Sequence, residues 1–399
     1  MDEKPDAAVP DALKITLLVI ATLTIMAGTI VAPSLPAIRQ AFIETPHVDL
    51  LSRMVLTLPA IFVATFAPLV GTLADRYGRK RLLVAAILVY AVAGASGLAA
   101  TSLTGVLIGR AALGLAIGAI MTIGAALVGD YFQGSERERY LGLQQACTQI
   151  GGVAFVIAGG LLADVSWRAP FAVYGLALII LPAAMLFLTE PVSTGKSGAG
   201  PITGAAVAFP WRSVSLVCLT AFLINALFYT IPAQLPFFLR ELGLERPSVA
   251  GWAIGALNAA SAATALSYGR LRTHLSIVAV FAISLALMAA GYLALSFATA
   301  AAGLLAAVAI VGLGLGLAMP NIMSSAIKLA PPATRGRATG LVTSSMFLGH
   351  FVSPIASQPL IARAGFDGTY SYVALTLVAM TVASLAVLLL SRPVRGAAL

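Results

Sequence analysis

The chain has 399 residues, of which 60% are hydrophobic and only 10% are charged, whereas an ordinary soluble domain is about 25% charged. Lipid is therefore the solvent for most of it, and a sizeable soluble domain is excluded: apolar runs of the roughly 20 residues that cross a bilayer recur from Leu13 to Leu390 with short polar breaks. The net charge of +9 does not read as a nucleic-acid footprint, because the basic residues are spread through those breaks instead of forming one patch with interleaved aromatics.

In chain order, the apolar runs predict spans at 14–36, 51–73, 82–101, 104–128, 141–163, 169–189, 213–238, 249–268, 275–297, 301–327, 338–361 and 369–391. The first run lacks a following cleavage pattern and is flanked by Asp2, Glu3, Lys4, Asp6, Asp11 and Lys14, so it reads as a retained span. With a cytoplasmic N-terminus, Arg76, Arg79, Lys80, Arg81, Arg137, Arg139, Arg270, Arg272, Arg335 and Arg337 all lie inside; Arg39, Arg53, Arg168, Arg240, Arg246 and Arg363 lie outside. The positive-inside rule then predicts a multi-pass protein of a bacterial-type inner membrane with both termini cytoplasmic. Most breaks are short, but 190–212 is rich in Gly, Ser, Thr and Pro and reads as a cytoplasmic linker between bundles at 1–189 and 213–399. Cys147 and Cys218 fall inside spans, where each reads as a small apolar residue.

Sliding the chain on itself by 198 residues pairs Gly71 and Leu73 with Gly269 and Leu271, and Gly114, Gly118 and Met121 with Gly312, Gly316 and Met319. The same offset pairs Arg137, Arg139, Gly142, Leu143 and Gly151 with Arg335, Arg337, Gly340, Leu341 and Gly349. With one to three inserted residues, Pro33, Pro36 and Arg39 match Pro232, Pro236 and Arg240. One register held from the second span to the fifth predicts duplicated halves: an all-α membrane protein of twelve transmembrane helices in two pseudo-symmetric six-helix bundles. Parallel repeats of this kind place the substrate between the halves near the midplane, where rocking alternates access.

After the second span comes Gly71-Thr72-Leu73-Ala74-Asp75-Arg76-Tyr77-Gly78-Arg79-Lys80-Arg81. Gly71 and Gly78 allow a tight turn and close approach, Asp75 can cap or pair, and the basic cluster faces the cytoplasm. The segment closely resembles the signature loop of the major facilitator superfamily, and span number, linker and repeat extend the resemblance over nearly the whole chain. It implies a cytoplasmic latch of Asp75, Arg79 and Asp130, with Arg76 beside it. The second-half copy has Thr273 and Lys328 in place of the two acids, which implies an asymmetric latch. Arg110, in Gly109-Arg110-Ala111-Ala112-Leu113-Gly114, resembles the family's fourth-helix arginine, associated in proton-coupled members with energy coupling. It either faces a cavity or partner, or snorkels to the outer interface. In the fifth span Gly142, Gly151, Gly159 and Gly160 resemble the drug-antiporter glycine pattern, but Phe155 and Val156 replace its Gly-Pro pair. The small-residue spacing predicts close helix packing without the proline kink.

No Asp or Glu lies in the interior of a span, which turns the expectation from cationic solutes toward neutral, amphipathic or anionic ones. Candidate cavity residues are Arg110, Gln145 and Gln149, Asn225 and Tyr229, Asn258, Asn321, Ser345 and His350. Residues four apart share a helix face, and for each Asn, Gln or Ser an interhelical hydrogen bond is the alternative. His350 reads as a packed neutral imidazole or as a proton carrier. The expected function is secondary transport of a small organic solute, as proton-coupled efflux of hydrophobic or amphipathic compounds by a monomer. The alternative is uptake or facilitated transport of a specific metabolite, an organic anion included. No cofactor or metal is implied beyond a proton gradient. An enzyme would require a nucleophile with its base, or clustered metal ligands, and a pump would require a phosphate-binding loop; neither pattern occurs.

Overall fold

The computed structural model describes residues 10–190, 209–331 and 334–390, without the side chains of Pro68, Asp75, Ser135 and Glu138. Most of the expected linker therefore lies outside the described residues. The helices are α1 (Asp11–Ala41), α2 (Val48–Tyr77), α3 (Arg79–Leu98), α4 (Leu103–Tyr131), α5 (Gly134–Val165), α6 (Ala169–Phe187), α7 (Trp211–Glu241), α8 (Pro247–His274), α9 (Ile277–Ser296) and α10 (Ala301–Leu329). A last helical stretch, Arg335–Leu390, has 56 residues. Unbroken, it would run about 84 Å at 1.5 Å per residue, against roughly 30 Å of hydrocarbon. At Gly365 the backbone turns to φ 68° and ψ −177°, a conformation open to glycine at little cost. That break divides the stretch into α11 (335–364) and α12 (366–390), so the twelve predicted spans are all found.

Several helices run past their expected bounds, α2 and α5 among them. Helix α2 continues four residues past 73, to Tyr77, and α5 begins at Gly134 instead of 141. Both extensions are polar, carrying Arg76 or Glu136, Arg137 and Arg139. Hydropathy marks the hydrocarbon slab, whereas helical hydrogen bonding continues into the interface.

Helices α2 and α3 pack on α4, and α1 on α5; in the second half α8 and α9 pack on α10, while α7 and α9 line the α11–α12 pair. The halves meet along α5–α8 and α2–α11. We call the end carrying Tyr77, Tyr131 and Glu190 the linker end, and that carrying Ala41, Val165 and Glu241 the far end. Helix α1 is interrupted after Thr29 by a tight turn at Ala32–Ser34, and α7 is interrupted at Tyr229. Each interruption precedes a repeat-related proline, Pro33 or Pro232, which has no N–H to give.

Lipid offers no hydrophobic drive between helices, so contact rests on close packing. A Cβ on Gly114 would stand 2.5 Å from the Pro59 carbonyl oxygen, and one on Gly160 would stand 2.9 Å from Ser248 Cα across the halves. Gly159 abuts the Ile30 carbonyl, but Gly151 has only ordinary contacts at 3.5 Å and Gly142 faces open space. Backbone-on-backbone packing by the α5 glycines is thus confined to Gly159 and Gly160 in its far-end portion. Gly114→Leu is expected to destabilise the protein by about 1–3 kcal/mol, read as a lowered unfolding temperature in detergent; Gly142→Ala should leave that temperature unchanged.

Candidate functional site

At the linker end a cavity of about 390 Å³ opens along α1, α4 and α5; among its lining residues are Leu17, Thr24, Met121, Gln144, Gln145 and Thr148. Its size and mostly apolar wall with a few amides match small-molecule sites. Gln149, one turn beyond Gln145, is half-buried.

The second half contributes Asn225, Tyr229 and His350, which the structure brings together. The Tyr229 and His350 rings stack with centroids 4.1 Å apart and planes 23° apart. Asn225 donates through Nδ2 to the Ala221 carbonyl at 2.8 Å, leaving its Oδ1 toward His350 Nε2 at 2.9 Å. A neutral imidazole must then carry its proton on Nε2 and present Nδ1 as an acceptor. Phe347 stands edge-on to His350 at 5.6 Å. Tyr229 also crosses the midline, its hydroxyl donating to the Gly28 carbonyl at 3.4 Å; Gly28 is one turn beyond the cavity residue Thr24.

Other sequence candidates lie elsewhere. Asn321 is fully buried, donating to the Ile277 carbonyl at 2.9 Å and accepting from the Tyr268 hydroxyl at 3.1 Å, a tie inside the second bundle. Ser345 returns its hydroxyl to the Leu341 carbonyl at 2.9 Å, and Asn258 is half-buried on α8.

Arg110 neither snorkels nor lines the cavity. It is 0% exposed, donating through Nε to the Val55 carbonyl at 2.7 Å, through Nη1 to the Tyr174 hydroxyl at 2.7 Å and through Nη2 to the Ala27 carbonyl at 2.9 Å. Both carbonyls are vacant for identifiable reasons. Pro59, four residues after Val55, has no N–H to offer, and Ala27 is among the last four residues of the helical segment Asp11–Thr29, whose carbonyls lack intrahelical donors. Tyr174 donates to the same Ala27 oxygen at 3.1 Å. Arg110 thereby ties α1, α2, α4 and α6 together.

Sequence reasoning placed Arg53 on the outer side, at the start of the second span, and it is 3% exposed. Its Nε donates to Gln234 Oε1 at 2.5 Å across the halves, its Nη1 donates to the Asp49 carbonyl, and its guanidinium lies 3.8 Å from the Phe237 ring centroid. Gln234 Nε2 in turn donates to Ser357 Oγ at 2.9 Å. Arg240 Nη1 donates to the Pro36 carbonyl at 3.2 Å, and the Ser248 N–H, at the start of α8, donates to Asp164 Oδ1 at 2.9 Å. The Arg53–Gln234, Arg240–Pro36 and Ser248–Asp164 bonds join the halves at the far end, beside a crevice lined by Gln40 and Glu245.

At the linker end Arg79 pairs with Asp130, and Glu190 accepts the backbone N–H groups of Arg79 and Lys80 at 2.5 and 3.0 Å, capping α3. Gly78 makes the turn with φ 93°. The Asp75 side chain lies outside the described residues; Arg76 is exposed, 5.5 Å from the Tyr77 ring centroid. The Arg79–Asp130 pair joins α3 to α4 inside the first bundle and does not bridge the halves. Gly71 makes only a 4.0 Å contact with Thr122. Because Arg110 fills three acceptors, Arg110→Ala is expected to lower unfolding stability by more than about 2 kcal/mol. Arg110→Lys should recover only part, since a point charge cannot reach all three acceptors; both are read by thermal unfolding.

The sequence pattern of the Major Facilitator Superfamily matches residues 17–271 and 217–398. The class C tetracycline resistance protein of Escherichia coli is 31% identical over 231 residues, 55% of this chain and 57% of that protein, so the match spans little more than half of that relative. The 3-(3-hydroxy-phenyl)propionate transporter of Escherichia coli (strain K12) is 28% identical over 327 residues, 80% of this chain and 79% of that protein. The crystal structure of the nucleoside transporter NupG superposes with a TM-score of 0.78 over 94% of this chain and 99% of that one; at 12% identity the likeness is one of fold. A pattern spanning both halves, together with a twelve-helix, two-bundle fold, makes the chain a member of the Major Facilitator Superfamily: a multi-pass membrane transporter and not an enzyme.

Proposed function

We propose that this protein is a secondary transporter that exports hydrophobic or amphipathic organic compounds across a bacterial-type inner membrane by alternating access, driven by inward proton movement. The observation that carries this reading is a mostly apolar cavity of about 390 Å³ at the linker end, beneath a far end where buried bonds tie the halves together. Arg76, Arg79, Lys80, Arg81, Arg137 and Arg139 at the linker end make it the cytoplasmic end by the positive-inside rule. A solute entering from the cytoplasm meets Gln144 and Gln145 in the cavity wall, and the Tyr229–His350 stack is the contact we assign to the second half. Stacked rings and amides without a carboxylate suit a planar solute that is neutral or anionic. Similarity to a tetracycline resistance protein supports efflux of such a compound. Gly71, Asp75, Arg76, Gly78, Arg79 and Asp130 act as the cytoplasmic gate. His350 and the acids Asp75 and Asp130 are the candidate proton carriers. The two bundles enclose one pathway, so the monomer is the working unit.

The alternative, passage of a specific aromatic acid, is favoured by the similarity to the 3-(3-hydroxy-phenyl)propionate transporter and by the same want of carboxylates. Inverted vesicles loaded to be one pH unit more acid inside separate the two. Exchange of one proton per molecule should concentrate labelled tetracycline about tenfold, since one pH unit is 1.36 kcal/mol, and a protonophore should abolish the gradient. Saturable flux of one aromatic acid that is indifferent to the pH gradient would overturn the export reading.

A further inference from the structure

We propose that Arg53, Gln234 and Ser357 are the lock of the far-end gate, and that Asp49 takes over the Arg53 guanidinium when the lock opens. The inference rests on alternating access but on neither the solute nor the direction of transport.

The lock is buried and crosses the halves. Arg53 on α2 is 3% exposed, Gln234 on α7 0% and Ser357 on α11 4%. Opening the far end pulls α2 from α7 and removes from Arg53 both the Gln234 oxygen and the Phe237 ring face. What remains is the Asp49 carbonyl on its own helix, one neutral acceptor for a charged, five-donor group. Asp49 stands one helical turn earlier on the same element, its carboxylate 3.8 Å from Arg53 Nη1. In the closed arrangement that carboxylate is held by Arg39 Nε at 2.6 Å. Arg39 is partly exposed, so water can satisfy it when Asp49 turns to Arg53. The exchange gives the buried cation a partner in both states, as a two-position gate requires.

The identity of residue 234 fits a bond meant to break. A glutamine supplies one neutral acceptor, whereas a glutamate would make a buried, charge-assisted pair that is far harder to separate. The lock also ends a polar seam between α7 and α11: Asn225 with His350 at 2.9 Å, Thr230 with Ser353 at 3.3 Å, then Gln234 with Ser357 at 2.9 Å. The seam begins at the Tyr229–His350 stack, so movement of α7 against α11 at the cavity is felt at the lock.

Spin labels at Gln40→Cys and Glu245→Cys, on opposite sides of the far-end crevice, in protein carrying Cys147→Ser and Cys218→Ser, report the gate by electron–electron distance measurement in lipid nanodiscs. The starting protein should show a dominant short distance. Gln234→Leu should raise the ratio of long to short distances about three- to tenfold. Gln234→Glu should lower it, and Asp49→Asn should also lower it, because the freed guanidinium then keeps only the neutral carbonyl of residue 49. A merely structural role predicts no opposite shifts from Leu and Glu at one position. Unchanged distributions in Gln234→Glu and Asp49→Asn, both conservative in volume, overturn the proposal even if Gln234→Leu fails to fold. Shifts as expected in a protein that moves no tetracycline would leave the lock standing and remove the export reading instead.

Discussion

Among the described residues two guanidiniums have to be satisfied away from water, and the way each is satisfied decides which parts of the molecule move together. Arg110 finds all its acceptors inside the first bundle, on carbonyls that Pro59 and the end of the first α1 segment leave free. It makes α1, α2, α4 and α6 one body. Arg53 finds its acceptor in the other bundle, on the neutral side chain of Gln234. Its bond can be exchanged without breaking either bundle. One arginine builds a rigid half, and the other marks the seam along which two halves part.

The remaining contacts sort by the same distinction. Arg79–Asp130 and the Glu190 cap strengthen the first bundle at the linker end, while Arg240 and Asp164 reach across to the opposite bundle at the far end. Between the bundles the backbones of α5 and α8 meet through Gly160 and Gly251, with Cα atoms close enough that an added Cβ would lie within 3.1 Å. Small residues let two helices roll on one another with little side-chain rearrangement, as a rocking interface needs. The breaks in α1 and α7, related by the repeat, meet near the cavity's closed end through the Tyr229–Gly28 hydrogen bond.

Much of the fold is legible in the sequence because a bilayer allows few solutions: apolar runs of the right length must be helices, and the 198-residue offset reveals the duplication. The site is less legible. Asn225, Tyr229 and His350 are each recognisable as unusual residues in a span, but that they form one stack depends on α7 lying against α11. For Arg110 a cavity, a partner or the interface all stay open in the sequence, although Pro59 offers a clue to the partner, since a proline inside a predicted span orphans a carbonyl that a buried donor can fill. The burial of Arg53 is not legible, because hydropathy reads a charge near a span end as solvated. It cannot see that Gln234, 181 positions away, supplies the missing acceptor. Asn321 shows the converse: a polar residue in a span need be no more than a brace.

The claim on which the rest depends is that one central site is reached from one side at a time. Gln149, half-buried and about midway along α5, is the position from which to measure this. Gln149→Cys, in protein carrying Cys147→Ser and Cys218→Ser, would be treated with a membrane-impermeant thiol reagent from either side of sealed vesicles. The structure predicts rapid labelling from the linker side at rest, and labelling from the far side once a transported solute and a proton gradient are supplied. Equal labelling from both sides at rest, or none from the far side under any condition that sustains transport, would contradict it.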